Sequence, residues 1–562
     1  MKRVGSTLRL SPTDLSAFLG CRHRTGLDLS VVRGLLDKPR YVDPMLKVLQ
    51  EKGEQHETRY VESLRAEGLA VVDLRDARTV VETKVALVAG PDVIVQATLE
   101  DGTWGGVADI LRRVDVPSAL GDWSYEVCDT KLARETRGGT ILQLSVYTEL
   151  LGALQGRVPE SFHVITPDPK TPKHSYRFAE FGAYYRLMKR RLLETIDLGP
   201  HEIRRRYYPD PVEQCGVCRW SDWCDRRRRD DDHLSFIAGI GRTHRTELEG
   251  RDLTTLAAVA GMPLPVDFVP KRGSVETYSK LREQARVQVE QRTKQLPVYE
   301  TLPVEEGRGL TRLPEPSPGD VFLDLEGAQF AREGGREFLF GVLADEYTPL
   351  WATDDEAERQ AFERVIEQIM SAWEADPGMH VYHFANYEVT ACKRLMGRYA
   401  TRAEELDRLL RSGRFVDLHT VTRQAVRAGV ESYTLKQFEQ FHGFARSVEL
   451  RVAGASLAVA NAALESNAPD VLTDEIRASI AGYNEDDCRS TQSLRDWLEA
   501  VRASMIARGV TVPRPEEKDD DAPEALSERD QRAEDARALL LAGLPPEASE
   551  PCLLYTSPSP RD

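Results

Sequence analysis

The chain has 562 residues, 41% of them hydrophobic and 30% charged, with a formal net charge of −16. Such a length exceeds what one hydrophobic core organises, so several domains are expected, with the composition of a soluble globular protein. No apolar run reaches the length of a membrane span and the N-terminus lacks a signal-peptide pattern, which argues against membrane and secreted classes and leaves the cytoplasm as the default location.

The acidic balance is unevenly spread. Residues 516–535 hold ten acids and three bases, whereas basic runs lie at Lys189-Arg190-Arg191, Arg204-Arg205-Arg206 and Arg226 to Arg229. Phosphate binding depends on where charge sits, not on its sum. Solvated helix faces explain such runs equally well, most of all Arg226 to Arg229 beside Asp230-Asp231-Asp232.

In chain order, 46–64 reads as a helix, 103–114 and 124–132 as strands, 140–154 as a helix and 161–166 as a strand. Residues 236–261 combine Phe-Ile-Ala-Gly-Ile-Gly, a polar helix and Leu-Thr-Thr-Leu-Ala-Ala-Val-Ala. That pattern resembles a helix-hairpin-helix, whose glycine turn offers N–H groups to a DNA phosphate; a structural helical hairpin is the alternative. A helical connector, 275–294, leads through the Pro-rich stretch 302–318 to strands at 321–326 and 338–343. Alternating helices and strands then run to about Arg508. Residues 511–535 read as a disordered acidic linker, and a new helical pattern starts at 536–541. The tail 552–562 resembles one translated frame of a sequencing adapter, so the natural chain is expected to continue past Pro551. The expected organisation is an α/β multidomain chain: a first domain at 1–232, a hairpin and connector at 233–300, a second α/β domain at 316–510, a linker at 511–551 and an artefactual tail.

Of eight cysteines, Cys215, Cys218 and Cys224 form C-x2-C-x5-C, with Cys21 far upstream. In a chain without a secretion signal this spacing reads as metal ligation. Cys128, Cys392 and Cys488 read as packed thiols.

Asp109 lies in a strand-like run, and Asp129 and Lys131 stand two apart on the next strand, so their side chains share a face. Carboxylates hold a hard divalent cation that polarises a phosphate and acidifies water, while a lysine orients that water or stabilises transition-state charge. His56 precedes them on a helix, and Gln143 and Tyr147 share a face of the helix that follows. This order, His, Asp, D-x-K and Q-x3-Y, resembles the RecB-like branch of the PD-(D/E)XK nucleases. The resemblance implies a PD-(D/E)XK fold with His56, Asp109, Asp129 and Lys131 as the active site, the first three on a divalent cation, and Gln143 and Tyr147 on DNA. The four cysteines resemble those of the iron–sulfur members of that branch, which implies a 4Fe–4S cluster stapling the domain ends; four thiolates also suit Zn²⁺.

Asp324 and Glu326 share one face of an apolar strand, and Tyr483 and Asp487 share one face of a helix far downstream. Between them lies Tyr382-His383-Phe384-Ala385-Asn386-Tyr387-Glu388. A strand with D-x-E and a helix with Y-x3-D resemble the DnaQ-like, RNase H-fold 3′–5′ exonucleases, closest to the YprB-like group. In these, four carboxylates hold two divalent ions about 3.5–4 Å apart. The resemblance implies Asp324, Glu326, Glu388 and Asp487 as the four acids, with Asp324, Glu326 and Asp487 as metal ligands and Tyr483 orienting water. Segments 415–419 and 433–435 are also similar to that family. Glu388 departs from its usual Asp, and Asp486 is an alternative to Asp487.

Both resemblances together imply a metal-dependent DNA nuclease of repair, recombination or defence, using Mg²⁺ or Mn²⁺ on single strands or duplex ends. A superfamily-one helicase is expected in the untruncated chain, although no G-x4-G-K-[ST] occurs here. The alternatives are a non-catalytic DNA-binding scaffold for a missing helicase part and an RNA-processing exonuclease.

Overall fold

A computed structural model describes residues 1–40, 44–132, 136–166, 173–332, 334–465 and 469–518, with scattered positions between 531 and 539. Most of the expected linker and the whole tail 552–562 lie outside the described residues. The chain divides into two compact units, Met1–Val298 with Leu457–Leu472, and Tyr299–Ser456 with Thr473–Asp562. No helix among the described residues is long and apolar enough to cross a membrane.

After an antiparallel hairpin of Lys2–Val4 and Thr7–Arg9, the first unit continues with helices α1 (Pro12–Gly20), α2 (Arg22–Val32) and α3 (Pro44–Ala66). Its sheet runs in the order β1 (Val71–Asp73), β2 (Val93–Glu100), β3 (Gly105–Val114), β4 (Ser124–Thr130), β5 (Ser161–Ile165), β6 (Lys173–Arg177). Neighbours pair antiparallel except β1 with β2 and β4 with β5. Helix α4 (Gly138–Gln155) crosses between β4 and β5 and stops at Gly156, whose φ of 69° is a left-handed cap. Leu15 and Phe18 of α1, Leu142 and Leu144 of α4, and Tyr185, Met188 and Leu192 of α5 (Phe178–Asp197) share a core with Ile94, Ala97, Leu111 and Val127. Val61 and Leu64 of α3 pack on Val93, Val95, Ile110 and Cys128 on the opposite face.

Strand alternation fails at one point. Val93 and Val95 face α3, whereas Ala97 and Leu99 lie in the other core. Between them Gln96 has a φ of 57°, and the ladder omits the pair Gln96 and Asp109 while keeping the same register on both sides. A period-two strand cannot change faces without such a break. The break stands at an acid singled out by the sequence.

The unit continues through α6 (Gly199–Arg206), a 3-10 turn at Glu213–Val217 and α7 (Ser221–Asp230). The expected hairpin forms α8 (Arg242–Glu249) and a short helix, Leu256–Ala260, followed by α9 (Val275–Lys294). These share a small core of Phe236, Leu248, Leu256, Val259 and Tyr278.

In the second unit the sheet order is β9 (Tyr347–Trp351), β8 (Arg336–Leu343), β7 (Val321–Ala328), β10 (Val381–His383), β11 (Phe415–Asp417). The first three form an antiparallel meander, and β10 and β11 add in parallel through α10 (Asp355–Ala375) and α11 (Tyr387–Tyr399). Helix α12 (Leu435–His442) and the long α13 (Asp474–Ala507) complete it. Along α13, Ile480, Asn484, Asp487, Cys488, Thr491, Leu494, Leu498 and Val501 are buried at the three-to-four spacing of one face.

This unit starts earlier and ends later than the expected 316–510. Tyr299–Thr301 pairs with Val426–Ala428, and the buried Arg502 guanidinium donates to the carbonyls of Leu310, Leu313 and Val512. Val512, expected in a disordered linker, joins the core, and Arg514 forms a two-pronged ion pair with Glu499 at 2.6 and 2.8 Å.

Candidate active sites

The first site lies where β3 and β4 meet α3 and α4. Asp129 is 2% exposed, and its carboxylate pairs with the Lys131 ammonium at 2.5 Å. Asp109 accepts from the N–H and hydroxyl of Thr130 at 3.1 and 3.3 Å. Burial and then the Asp129 carboxylate push the Asp109 pKa up, with Lys131 opposing. Two carboxylates and one lysine thus converge.

Tyr147 reaches the same place. Its hydroxyl donates to Val107 O at 2.8 Å, and its pKa is raised by burial and by Asp109 and Asp129, with Gln143 as a hydrogen-bonding neighbour. Gly106 makes this possible, because a Cβ there would stand 2.8 Å from the Tyr147 hydroxyl. His56 is buried with Nε2 3.3 Å from Ile165 O, the carbonyl that also accepts from the Lys131 N–H. Burial lowers its pKa, so the ring is held neutral. Glu57, which belongs to none of the sequence motifs, interacts electrostatically with Asp109 and is held by Arg75 at 2.9 Å and by Gln96 at 3.0 and 3.1 Å. Its adjacency to His56 was the only sequence signal.

Elsewhere in the unit, Cys21, Cys215, Cys218 and Cys224 line one cavity. Cys21 sits between α1 and α2, Cys215 and Cys218 on the 3-10 turn and its cap, and Cys224 in α7. Trp220 Nε1 donates to Asp28 of α2 at 2.8 Å, tying the two ends together, and the Val212 N–H points at the Cys215 sulfur at 3.4 Å. Burial and the neighbouring thiols push Cys224 up to about 12, as convergent thiols facing a common space should. The Arg226–Arg229 run is largely structural. Arg227 pairs with Asp231 at 2.7 Å, Arg229 with Asp225 at 2.8 Å, and buried Arg228 donates to Pro209 O at 3.0 Å.

Asp210, His233 and Glu249 also bring ligand atoms within 4.8 Å of one another. The Ser235 N–H donates to His233 Nδ1 at 3.2 Å, and His233 Nε2 faces Asp210 and Glu249 at 3.7 and 3.6 Å. With Arg245 3.6 Å from Asp210, this group is an ion-pair network.

The second site is more tightly drawn. Asp324 and Glu326 on β7 and Asp487 on α13 bring carboxylate oxygens within 4.8 Å of one another. Burial raises the pKa of Asp324 and Glu326, with Asp487 the next cause for each. Such crowding favours any cation over solvent, and the three-acid set fits a divalent one. Glu388, at the start of α11, is 3% exposed, within electrostatic reach of both β7 acids, and 3.5 Å from His383 Nδ1. It stands outside the tight trio. Ala385, at a φ of 74°, makes the turn into α11, and its N–H donates to Asp417 at 2.9 Å.

Several residues missed in the sequence shape this site. Asn484, fully buried, donates to Asp324 Oδ2 at 2.7 Å and accepts from the Tyr347 hydroxyl at 2.8 Å. Asp487 pairs with Lys436 at 3.0 Å and Arg446 at 2.5 Å, and both cations lie over the Tyr483 ring, at 5.0 and 5.4 Å. Lys436 directly follows the 433–435 segment, where Thr434 caps α12. Asp486 is accounted for differently, since it accepts from the N–H groups of Ser447 and Val448 at 2.9 and 3.0 Å and lies outside the trio.

A mixed sheet whose central strand carries two acids, closed by a helix supplying a third, suggests a nuclease-type hydrolase whose acids could hold a divalent metal. The RNase_H superfamily model matches residues 321–499, so this part of the chain is an RNase H-superfamily domain. No curated protein matches the chain.

Proposed function

We propose that the chain is a metal-dependent DNA nuclease with two centres. The observation that carries this reading is the convergence of Asp324, Glu326 and Asp487 inside the RNase H-superfamily domain. These three would hold Mg²⁺ or Mn²⁺, with Glu388 as the fourth acid of a 3′–5′ exonuclease-type site. Bound there, the cation supplies Lewis acidity to a phosphodiester and acidifies water. Tyr483 orients that water. Lys436, already among the acids, neutralises phosphate charge as it builds.

The first unit is a RecB-like PD-(D/E)XK nuclease in this reading. Its support is the convergence of Asp109, Asp129, Lys131 and Tyr147. His56, Asp109 and Asp129 would hold a divalent cation, Lys131 stabilises charge, and Gln143 and Tyr147 contact DNA. On the family likeness alone, Cys21, Cys215, Cys218 and Cys224, which line one cavity, would hold a 4Fe–4S cluster or Zn²⁺ as a structural staple. A role in repair, recombination or defence follows from the same family likeness.

The test is cleavage of end-labelled single-stranded DNA, and of a matched RNA, by anaerobically purified protein with Mn²⁺ or Mg²⁺. Wild type is compared with Lys131→Ala and Asp324→Asn. Each substitution is expected to lower the activity of its own centre by at least 100-fold, and unchanged cleavage in both variants would refute the assignment. One observation favours the scaffold alternative: both Asp487 oxygens are engaged by Arg446 and Lys436. Tight DNA binding by an inert wild type would establish it.

A further inference from the structure

The hairpin region carries a feature that neither centre uses. A cavity of about 510 Å³ lies along α8, lined by Arg242, Thr246, Glu247, Arg251, Lys271 and Arg272 among others. Four cations face one acid there, in a chain whose formal net charge is −16. Glu247 is paired with Arg251 at 2.8 Å and accepts from the Lys271 backbone N–H at 3.3 Å. The side chains of Arg242, Lys271 and Arg272 are exposed, Lys271 facing the Glu247 charge through space, and Arg242 and Arg272 form no ion pair among the described residues. Four cations against one acid leave the concavity net positive, an excess that a bound anion relieves.

The walls are fixed before any ligand arrives. Arg251 stacks on Phe268 at 4.0 Å, the Tyr278 hydroxyl of α9 donates to Arg272 O at 3.1 Å, and Phe268 packs edge-on against Tyr278. The loop that brings Lys271 and Arg272 opposite Arg242 is therefore held against α8 by its backbone, which leaves the charged ends of the side chains free.

We propose that this groove docks the sugar–phosphate backbone of DNA and holds it on the first unit. The choice of DNA over other polyanions rests on the nuclease reading. A net-positive groove in a chain of negative net charge offers a polyanion a local attraction that the charge sum does not. Such docking engages phosphates and is independent of base sequence.

Binding of the full chain to a fluorescent DNA duplex with a single-stranded tail is measured in EDTA over a salt series. The triple variant Arg242→Ser, Lys271→Ser, Arg272→Ser is expected to bind at least tenfold more weakly. Its slope of log affinity on log salt should be shallower by roughly two to three, at about 0.9 for each phosphate that is no longer neutralised. The charge-preserving set Arg242→Lys, Lys271→Arg, Arg272→Lys should keep the wild-type slope. A triple variant that melts like wild type and retains the wild-type slope overturns the groove. Because EDTA removes turnover, an inert wild type whose slope still depends on these residues would sink the nuclease and leave the groove standing.

Discussion

Asn484 shows how much of the second site rests on a residue with no chemistry of its own. Its amide nitrogen donates to Asp324 at 2.7 Å, and its oxygen accepts from Tyr347 at 2.8 Å. The amide favours the ionised form of an acid that burial and like charge push the other way. Asn484→Asp keeps the shape but sets another carboxylate against Asp324 at a fully buried position. A loss of about 2–4 kcal/mol of stability in EDTA is expected, with part regained in Mg²⁺. Thermal melts with and without the cation decide it, and equal loss in both conditions would separate Asn484 from the metal group. The acids themselves were legible in the sequence because D-x-E on a strand and Y-x3-D on a helix fix which side chains share a face. Asn484, Lys436 and Arg446 were not, because their partners lie 160, 51 and 41 residues away.

Among the elements, the packing that assembles the second site is α13 lying on β8. Gly341 pairs with Asp324 across the sheet, and a Cβ at Gly341 would fall 1.6 Å from Asn484 Oδ1 and 3.0 Å from the Tyr347 ring. Only glycine lets the helix approach so closely. Gly341→Ala is expected to lift α13, costing about 1–3 kcal/mol and abolishing Asp324-dependent cleavage while Lys131-dependent cleavage persists. Denaturant midpoints together with the two-variant nuclease assay measure both effects, and wild-type values in each would show that the helix need not sit so low. The first unit has its counterpart in β2. The alternation of 93–99 looks regular in sequence, yet the left-handed Gln96 reverses its faces beside Asp109. Non-glycine residues hold that conformation only where their surroundings impose it, and here the Glu57 carboxylate does so through the Gln96 amide.

For the molecule as a whole, stability should depend on pH through two half-buried histidines that are not among the trio. Burial pushes His380 and His442 of the second unit down to about 4, against an ordinary 6.5. The unfolded chain then binds more protons between these values, so stability is complete above about 6.5 and falls as pH drops towards 4. Allowing for their partial exposure, about 1 kcal/mol per histidine is expected to be lost at pH 5. Denaturation of wild type and His442→Gln at pH 7.5 and 5 tests this, since the variant should lose less, and parallel losses would remove His442 from the account.

The sequence by itself determined the two α/β halves, the spacing of each acid pair, the D-x-K lysine and the four-cysteine pattern. These are local facts, set by the two-residue period of strands, the 3.6-residue period of helices and the chemistry of the side chains. Only the tertiary structure decided that Asp487 and not Asp486 joins Asp324 and Glu326, and that Glu388 stands just outside them. It alone placed Glu57 beside Asp109, moved the second unit's limits to include Tyr299 and Val512, and gathered an excess of cations from α8 and a distant loop into one groove. Each of these depends on which faces pack together and which charges are left without partners, and distance along the chain encodes neither.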